Sequence, residues 1–421
     1  MRVPERFVDA FDCVVAPCSE GTIGVAVSGG SDSTALILIA KEWATACGRS
    51  VSAVTVDHGL RPESADEAAS VGEFCKYLDI SHQTSVWRGW DGNGNLQARA
   101  RDARRSLISA WAHRNSISTV ALGHTLDDQA ETFLMRLARG SGVDGLAAMS
   151  SARKHSGINW VRPLLGIRRE DLRSFLRENN VSWVDDPSND NESFERVRWR
   201  TALAELSSLG LDAERLATTA EHMSRARETL EGVTEAFLKE NAFQTGYGEV
   251  TLQTDEFPKV TEDLRLRVVS SILCCVSGQG YRPRFSALKA LVKAIVEEPD
   301  LPGASLHGCV VRKRKAGVIF RREPSSVSPD VPAVIGCWDS RWTWDLEQVP
   351  DGATVGAIAP DELPQVKSDL QIRLPRELLL TLPALRLDGR LIATPVTGMD
   401  NQVRFALKPC QHGFNTMTIV R

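Results

Sequence analysis

Between residues 23 and 122, short apolar runs rich in Val, Ile and Thr alternate with longer segments of helical composition. The predicted strands are Ile23–Val27, Val51–Val56, Ile80–Val86 and Thr119–Leu122, and the predicted helices between them cover residues 34–46, 62–78 and 96–114. This rhythm is typical of a parallel sheet with helices on its faces. Ligands bind such sheets beyond the carboxyl ends of the strands, so we expect the loops 28–33, 57–61 and 123–128 to share one crevice.

The first of these loops, S-G-G-S-D-S, consists almost entirely of small polar residues. Its members are Ser28, Gly29, Gly30, Ser31, Asp32 and Ser33. The loop follows a predicted strand and opens a predicted helix, where backbone N–H groups and hydroxyls can converge on an anion. The lysine of the common phosphate loop, G-x-x-x-x-G-K-[ST], is missing. The loop therefore indicates phosphate binding for a different cleavage of the nucleotide.

The hexapeptide resembles the pyrophosphate loop of the N-type ATP pyrophosphatases. Enzymes of that superfamily hold the β,γ-pyrophosphate of ATP as a leaving group and transfer AMP to a carbonyl-type oxygen. The resemblance implies that ATP is bound and that residues 28–33 hold its phosphates. The alternative is an ordinary Ser/Gly-rich turn between a strand and a helix.

The segment V-D-H-G-L-R, residues 56–61, is similar to a signature of one family in that superfamily, the tRNA(Ile)-lysidine synthetases. It lies at the end of the second predicted strand, which suits contact with the adenosine part of ATP. Asp57 and His58 are therefore predicted to bind ATP, together with the pyrophosphate loop.

A basic helix, residues 95–105, resembles the A-R-x-x-R segment of the same family through Ala100, Arg101 and Arg104. The two arginines are three residues apart and share one helix face. Taken alone, this helix fits a solvated basic face better than a functional one. Arg105 stands where the family commonly has an aromatic residue.

The stretch GHTLDDQAET, residues 123–132, resembles the family segment G-H-x-x-D-D-x-x-E-T. We expect Asp127 to cap the helix that begins here. Asp128 and Glu131 are three residues apart and project toward the crevice, where carboxylates can hold Mg²⁺ or a cationic amine. Ordinary capping is the alternative, but it does not explain Glu131 together with Asp128.

Two further segments extend the resemblance to residue 200. WVRPLL, residues 160–165, is similar to an R-P-L-L segment of the family, and residues 183–200 are similar to its W-x-x-D-P-S-N…R-N-x-x-R segment. The matching positions of the second segment are Asp186, Pro187, Ser188, Asn189, Arg196 and Arg200. Val197 replaces the usual asparagine, and Trp199 replaces a smaller apolar residue.

These motifs span residues 22–200, and their combination identifies the chain as a member of this family. The resemblance implies an ATP- and Mg²⁺-dependent ligase that acts on isoleucine tRNA with a CAU anticodon and on free L-lysine. O2 of the wobble cytidine is adenylated, and lysine then displaces AMP at carbon 2 to form lysidine. The implied catalytic residues are Asp32, Arg104, Asp128, Glu131 and Arg196, and the implied metal ligands are Asp32, Asp128 and Glu131.

The rest of the chain is predicted to bind tRNA. Residues 203–240 carry apolar residues at helical spacing, and residues 322–332 are rich in proline and serine. We therefore expect an α/β pyrophosphatase domain at 1–205, a helical middle domain at 206–323, a linker at 324–334 and a small mixed α/β domain at 335–421. The basic cluster at residues 312–315 suits either a charged hairpin or contact with tRNA phosphates.

Composition excludes several other classes of protein. No apolar run approaches the ~20 residues of a membrane-spanning helix, and the N-terminus lacks a secretory signal, so we expect a cytoplasmic protein without membrane contact. A formal net charge of −4 argues against indiscriminate coating of nucleic acid, so tRNA contact must come from local patches. The nine cysteines are scattered without a C-x-x-C pair and are expected to be inert thiols.

Two other functions are alternatives to lysidine formation. A tRNA 2-thiocytidine synthetase would share the ATP loop, but the missing C-x-x-C pairs and the D-H-G-L-R and D-P-S-N matches argue against it. A tRNA-binding protein without catalysis would not need the candidate catalytic residues, which are intact. The oligomeric state stays open.

Overall fold

The computed structural model divides into two compact units, Met1–Glu228 and Thr229–Arg421. It describes residues 3–19, 21–59, 63–88, 90, 96–185, 195–315, 317–368, 373–396, 403–410 and 415–417. Parts of three motif segments lie outside the described residues: Leu60, Arg61, Asn95 and residues 186–194, which include Asp186, Pro187, Ser188 and Asn189. The division into three domains and a linker stays a prediction.

The first unit is built around one six-stranded sheet. In chain order its elements are α1 (Glu5–Val15), β1 (Ile23–Ala26), α2 (Ser31–Cys47), β2 (Val51–Asp57), α3 (Ser64–Tyr77), β3 (Ser81–Val86), α4 (Leu96–Arg114), β4 (Thr119–Leu122), α5 (Leu126–Ala138), α6 (Val143–Leu146), β5 (Ala152–His155), β6 (Ile158–Val161), α7 (Arg169–Glu178), α8 (Glu195–Ser207) and part of α9 (Ala213–Asn241). The strand order is β3-β2-β1-β4-β6-β5. All neighbours are parallel except β5 and β6. The predicted parallel sheet is confirmed.

Alternate residues of the strands face two separate apolar cores, as the period of two in a strand requires. On one face, Val25 packs with residues of α1, α2 and α7, including Phe11 and Trp43. On the other face, Val120 and Trp160 pack with α4. Helices therefore cover both faces, which explains why the central strands read as continuous apolar runs.

The strand order reverses at β1, which lies between β2 and β4. Open α/β sheets bind ligands at such a switch point, beyond the carboxyl ends of the strands. Here the loop after β1 meets the loop after β4. A Cβ atom at Gly123 would lie 3.2 Å from the backbone of Asp32, so any other residue here would have to push the two loops slightly apart.

The second unit contains three sheets. Beyond α9 its elements are β7 (Ala242–Thr245), β8 (Val250–Leu252), α10 (Glu262–Ser277), α11 (Phe285–Glu297), β9 (Leu301–Leu306), β10 (Cys309–Arg314), β11 (Gly317–Arg322), β12 (Val331–Pro332), β13 (Cys337–Trp338), β14 (Trp342–Trp344), β15 (Thr354–Ala357), α12 (Leu363–Ser368), α13 (Arg376–Leu379), β16 (Pro383–Leu387), β17 (Arg390–Ala393), β18 (Phe405–Leu407) and β19 (Asn415–Met417). Their orders are β19-β7-β8-β11-β10-β9, β12-β15-β16-β17 and β13-β14-β18. No helix in the described ranges has both the length and the apolar character needed to cross a membrane.

One disulfide corrects the expectation that the cysteines are inert thiols. Cys275 on α10 is bonded to Cys410, and their Cα atoms are 5.4 Å apart. The two positions are 135 residues apart in the chain, so no local spacing could reveal the pair. Cys75 and Cys309 are buried thiols, as expected, and burial raises the pKa of Cys75 to about 11.

The basic cluster of the second unit is engaged mainly by protein groups. Arg312 donates two hydrogen bonds to the carboxylate of Glu377, at 2.6 and 2.9 Å. Lys313 Nζ donates to the carbonyl oxygens of Ile295 and Glu298. These contacts favour the charged-hairpin interpretation for the first two residues of the cluster.

Candidate active site

The loop after β1 is closed by its own hydroxyl groups. Gly29 has a φ of +86°, in the left-handed region that glycine adopts most readily. Ser33 Oγ accepts a hydrogen bond from Ser28 N and donates one to the Gly30 carbonyl oxygen, both at 3.1 Å. Gly30 is the N-cap of α2 and has no side chain to occupy the first N–H groups of the helix. The first N–H groups of α2 can therefore donate hydrogen bonds to an anionic ligand.

A cavity of about 720 Å³ opens beside this loop. Ligand sites commonly enclose about 300–1,000 Å³, so the cavity is large enough for a nucleotide. The loop residues that line it are Ser28, Gly30, Ser31, Asp32 and Ser33, and the other polar lining residues are Arg104, Gly123, His124, Arg169, Arg173, Asp185 and Arg200. Four arginines against two aspartates give the wall an excess of positive charge, which suits an anionic ligand.

Three carboxylates and three arginines next to the cavity form what we call the carboxylate–arginine network. Its hydrogen bonds run from Arg169 Nε to Asp32 Oδ2 (2.9 Å), from Arg169 Nη2 to Asp128 Oδ1 (2.9 Å), from Arg196 Nη2 to Asp128 Oδ1 (3.1 Å), from Arg196 Nε to Glu131 Oε2 (2.7 Å) and from Arg200 Nε to Glu131 Oε1 (2.9 Å). The side chain of Glu131 is only 1% exposed. Its charge is therefore compensated within the protein.

The start of α5 places the two acidic side chains of this network. Thr125 N donates to Asp128 Oδ2 at 2.8 Å, and Asp128 N donates to Thr125 Oγ1, which forms a capping box. The expectation that Asp127 caps the helix is wrong, because its Oδ2 instead accepts a hydrogen bond from Arg169 N at 2.7 Å. Glu131 lies one turn beyond Asp128 on the same face, as its spacing predicts.

Packing of α8 against α5 brings the arginines to Glu131. Leu203 of α8 shares a buried cluster with Phe133 of α5. Arg196 and Arg200 are four residues apart, so both project from one face of α8 and bind the same carboxylate.

Burial and the arginine charges shift the pKa values of Asp128 and Asp32 in opposite directions. For Asp128, burial would raise the pKa, but the charges of Arg196 and Arg169, with smaller contributions, hold it below its ordinary value. For Asp32, burial raises the pKa and Arg169 offsets this only in part. Asp32 is therefore the weaker acid of the two.

Arg104 lines the cavity without a hydrogen bond or an ion pair to any residue that the structure describes. Burial lowers the pKa of its guanidinium, and the charge of Arg101 lowers it further. Its own charge reaches His58, whose pKa is lowered by burial and then by Arg104. An uncompensated cation in a partly buried position is costly, so Arg104 suits an anion that enters the cavity.

His124 also faces the cavity and is neutral at physiological pH. Burial, with the charges of Arg162, Arg104 and Arg196, lowers its pKa to about 3 despite the opposing charge of Asp128. Its Nδ1 atom is buried and lacks a hydrogen-bond partner among the described residues. His124 can therefore offer a hydrogen bond to a ligand, and its lowered pKa makes it a poor proton acceptor near neutral pH.

The structure brings together most of the predicted site residues. Arg104 and all of the loop residues except Gly29 line the cavity, while Asp128, Glu131 and Arg196 lie in the adjoining network. Asp57 and His58 are not among the lining residues, and Asp57 Oδ1 instead accepts a hydrogen bond from Gly59 N at 2.8 Å. A hydrogen bond from Ser64 and that from Gly59 lower the pKa of Asp57. ATP contact by these two residues stays a prediction.

Sequence reasoning did not assign a site role to five side chains that line the cavity, although two of them, Arg200 and His124, stand at matching positions of the motif segments: Arg169, Arg173, Arg200, His124 and Asp185. Arg169 and Arg173 are four residues apart after the R-P-L-L segment, and this spacing could have indicated a shared helix face. Arg173 Nη2 binds Asp185 Oδ1 at 3.1 Å.

The predicted magnesium ligands are only partly suited to a metal ion. No group of three or more His, Cys, Asp and Glu side chains in the described part of the chain is placed to hold one. Both oxygens of Asp128 and of Glu131 already accept hydrogen bonds. Among the described residues, the Ser31 hydroxyl is the one donor to Asp32 Oδ1, at 3.1 Å. Since Mg²⁺ usually needs only one or two carboxylates when it binds with nucleotide phosphates, Asp32 fits this role best.

Comparison with known proteins first defines the class. The family model described as a PP-loop domain matches residues 4–206. That range contains the parallel sheet and the loop before α2, so the first unit is a PP-loop ATP-using domain.

Full-length relatives then define the family. The chain is 39% identical to tRNA(Ile)-lysidine synthase of Ruegeria pomeroyi, over 90% of this chain and 89% of the relative. Enzymes of the same name from Wolbachia pipientis and Hyphomonas neptunium are 32% and 37% identical, over 89% and 74% of this chain and 88% and 84% of the relatives. The chain belongs to the tRNA(Ile)-lysidine synthase (synthetase) family, which confirms the predicted ATP-dependent, tRNA-modifying ligase at the level of the family. A solved U34-tRNA thiolase from Methanococcus maripaludis has a TM-score of 0.45 and 17% identity, over 53% of this chain and 80% of that chain.

Proposed function

We propose that this protein converts the wobble cytidine of isoleucine tRNA with a CAU anticodon to lysidine, using ATP and free L-lysine. The products are modified tRNA, AMP and pyrophosphate, and the tRNA then decodes AUA as isoleucine. The observation that carries this proposal is that the pyrophosphate loop lines one cavity with Arg104, which has no ion pair to any described residue, in a chain of this family.

In the proposed first step, O2 of the cytidine attacks the α-phosphorus of ATP, and the bond to the β-phosphate oxygen breaks. The N–H groups and hydroxyls of residues 28–33 hold the leaving pyrophosphate at the start of α2. Arg104 stabilises the negative charge on the α-phosphate. A nucleobase oxygen is a weak nucleophile, so positioning and charge stabilisation must supply most of the acceleration.

Mg²⁺ bound with ATP would neutralise part of the triphosphate charge, with Asp32 as its main protein ligand. Asp128 and Glu131 are the other proposed ligands, but their arginine partners would have to move to free an oxygen. Because those arginines would have to move, Asp128 and Glu131 are better suited to holding the network together than to binding Mg²⁺.

In the proposed second step, the ε-amine of lysine attacks carbon 2, and the bond from that carbon to the AMP oxygen breaks. The amine must first lose a proton to a nearby group. Burial and the nearby arginines lower the pKa of His124 to about 3, so His124 is a poor acceptor for this proton. The lysine ammonium instead displaces Arg196 or Arg200 from Glu131, and the Glu131 carboxylate accepts its proton. Both arginines are more than one-third exposed, so either can be displaced.

The test is pyrophosphate release from ATP, measured with CAU isoleucine tRNA and with radiolabelled lysine, each alone and then together. We expect label in the tRNA only when ATP, tRNA and lysine are all present. Asp32→Asn should abolish incorporation, while Asp351→Asn at an exposed turn should leave it unchanged. Pyrophosphate release with tRNA but without lysine incorporation would contradict the proposed second step.

A further inference from the structure

Two arginines lie on the same face of the β5–β6 hairpin, next to the cavity. Arg153 pairs with Trp160 across the hairpin. Arg162 N donates to the carbonyl oxygen of Ser151 at 2.7 Å, so these two residues lie opposite each other. Ser151 is two residues before Arg153 on the same strand side, which makes Arg162 the diagonal neighbour of Arg153. Trp160 packs in the core beneath α4, which shows that this face of the hairpin is the face that α4 covers.

The direction of α4 brings a third arginine to the same place. His113, near the end of α4, donates from Nε2 to the carbonyl oxygen of Ser156 at 2.9 Å, in the turn of the hairpin. Arg105 precedes His113 by about 12 Å of helix, at 1.5 Å per residue. It therefore lies toward the open end of the hairpin, where Arg162 follows β6. We call Arg105, Arg153 and Arg162 the arginine face.

The arginine face has almost no compensating negative charge among the described residues. Its one ion pair joins Arg105 to Asp102 at 4.0 Å, and both side chains are more than half exposed. Arg162 Nη1 donates to the Ser150 carbonyl oxygen at 2.9 Å, while its Nε is buried without a described partner. Burial lowers the pKa of Arg162, and the charges of Arg153 and Arg105 lower it further.

The arginine face is continuous with the cavity. The charge of Arg162 contributes to the lowered pKa of His124, which lines the cavity. Arg105 directly follows Arg104, another lining residue. A cationic surface thus extends outward from the place where the target base would be adenylated.

We infer that Arg105, Arg153 and Arg162 form a binding surface for the phosphates of single-stranded RNA, which holds the anticodon loop on one side of the target cytidine. Guanidinium groups match phosphate geometry with two parallel hydrogen bonds, and phosphate contacts fix the register of the bound strand. The inference rests on the proposed function and deepens it, because it names the surface that presents the base to the cavity.

The double variant Arg105→Gln, Arg153→Gln tests this surface in the full chain. Both side chains are exposed, so the melting temperature should stay close to that of the wild type. The Kd for a transcript of CAU isoleucine tRNA should rise about tenfold at moderate salt. The slope of log affinity against log salt should fall in magnitude by about 0.7 for each lost contact, about 1.4 in all. The Kd for ATP should change less than twofold.

Arg114→Gln is the matched control, because Arg114 is exposed at the other end of the same helix. It should bind the transcript as the wild type does. An unchanged Kd in the double variant, or an equal loss in Arg114→Gln, would overturn the inference. Lysine incorporation by the wild type distinguishes the proposed function from the arginine-face inference. If the wild type incorporates lysine while the double variant binds tRNA normally, the function stands and only the arginine-face inference is wrong. If the wild type incorporates no lysine, the proposed function fails.

Discussion

Arginines border the active-site cavity in two opposite electrostatic situations. In the carboxylate–arginine network, each of the three arginines hydrogen-bonds at least one carboxylate within 3.1 Å. Arg104 and the arginine face, on α4 and the β5–β6 hairpin, have no ion pair in the described ranges other than the 4.0 Å contact of Arg105. Carboxylates of the protein compensate the arginines of the network, whereas Arg104 and the arginine face have no comparable partner in the described part of the chain.

This difference separates stability from function. A buried charge that loses its partner leaves the other charge uncompensated, so the network should matter for folding. An unpaired cation already costs free energy in the folded protein, and only an incoming phosphate offsets that cost. Substitutions in the network should therefore lower the stability of the protein, whereas substitutions of Arg104 and the arginine face should lower binding or activity.

The largest stability effect is expected for Glu131→Gln. The substitution keeps the shape of the side chain but removes the charge that Arg196 and Arg200 share. We expect a loss of about 3 kcal/mol in the free energy of unfolding, at the low end for a broken buried pair because both arginines retain some solvent contact. Denaturant unfolding measures it.

The matched control is Glu195→Gln, which breaks the pair with Arg139 at the surface. There the side chains are 43% and 60% exposed, so the cost should be at most about 1 kcal/mol. Equal losses in the two variants would show that the network is not a structural unit, and the comparison would break down.

Arg104→Gln should show the reverse behaviour. We expect kcat/KM for lysidine formation to fall about 100-fold, the usual effect of removing one group that stabilises developing charge. Burial lowers the pKa of Arg104, so its removal should leave the melting temperature unchanged or slightly raised. A variant with full activity, or one that is strongly destabilised, would place Arg104 with the structural arginines instead.

The parts of the site that the sequence predicts are those set by local rules. The Gly-rich loop after a strand, and the spacing of Asp128 and Glu131 on one helix face, depend only on nearby residues. The cap of α5 also follows a local rule, but Thr125 and Asp128 together satisfy more N-terminal donors than Asp127 could alone.

Partners far apart in the chain were not predictable. Arg169 binds Asp32 across 137 residues, because packing of α7 on α2 brings them together. The crevice itself was predicted, but its position between β1 and β4 depends on the strand order, which periodicity does not reveal. This is why the loop after β2, with Asp57 and His58, was expected to line a cavity that does not include them.

The smallest expected effect is at His124, which lies between the two sets of arginines. The pKa of His124 falls from 6.5 in the unfolded chain to about 3 in the folded protein. Between these two pH values the unfolded chain binds more protons than the folded protein, so the free energy of unfolding falls as the pH drops below 6.5. His124→Gln should remove this dependence, reducing the loss of stability between about pH 7.5 and about pH 5.5 by about 1 kcal/mol. Asp128 does not interfere, because its lowered pKa confines its contribution to lower pH. Asp32 is present in both proteins, so the difference between their unfolding curves at the two pH values isolates His124. Identical pH dependence in wild type and variant would mean that His124 has the same pKa in the folded and the unfolded protein, and that burial and the nearby arginines do not lower it.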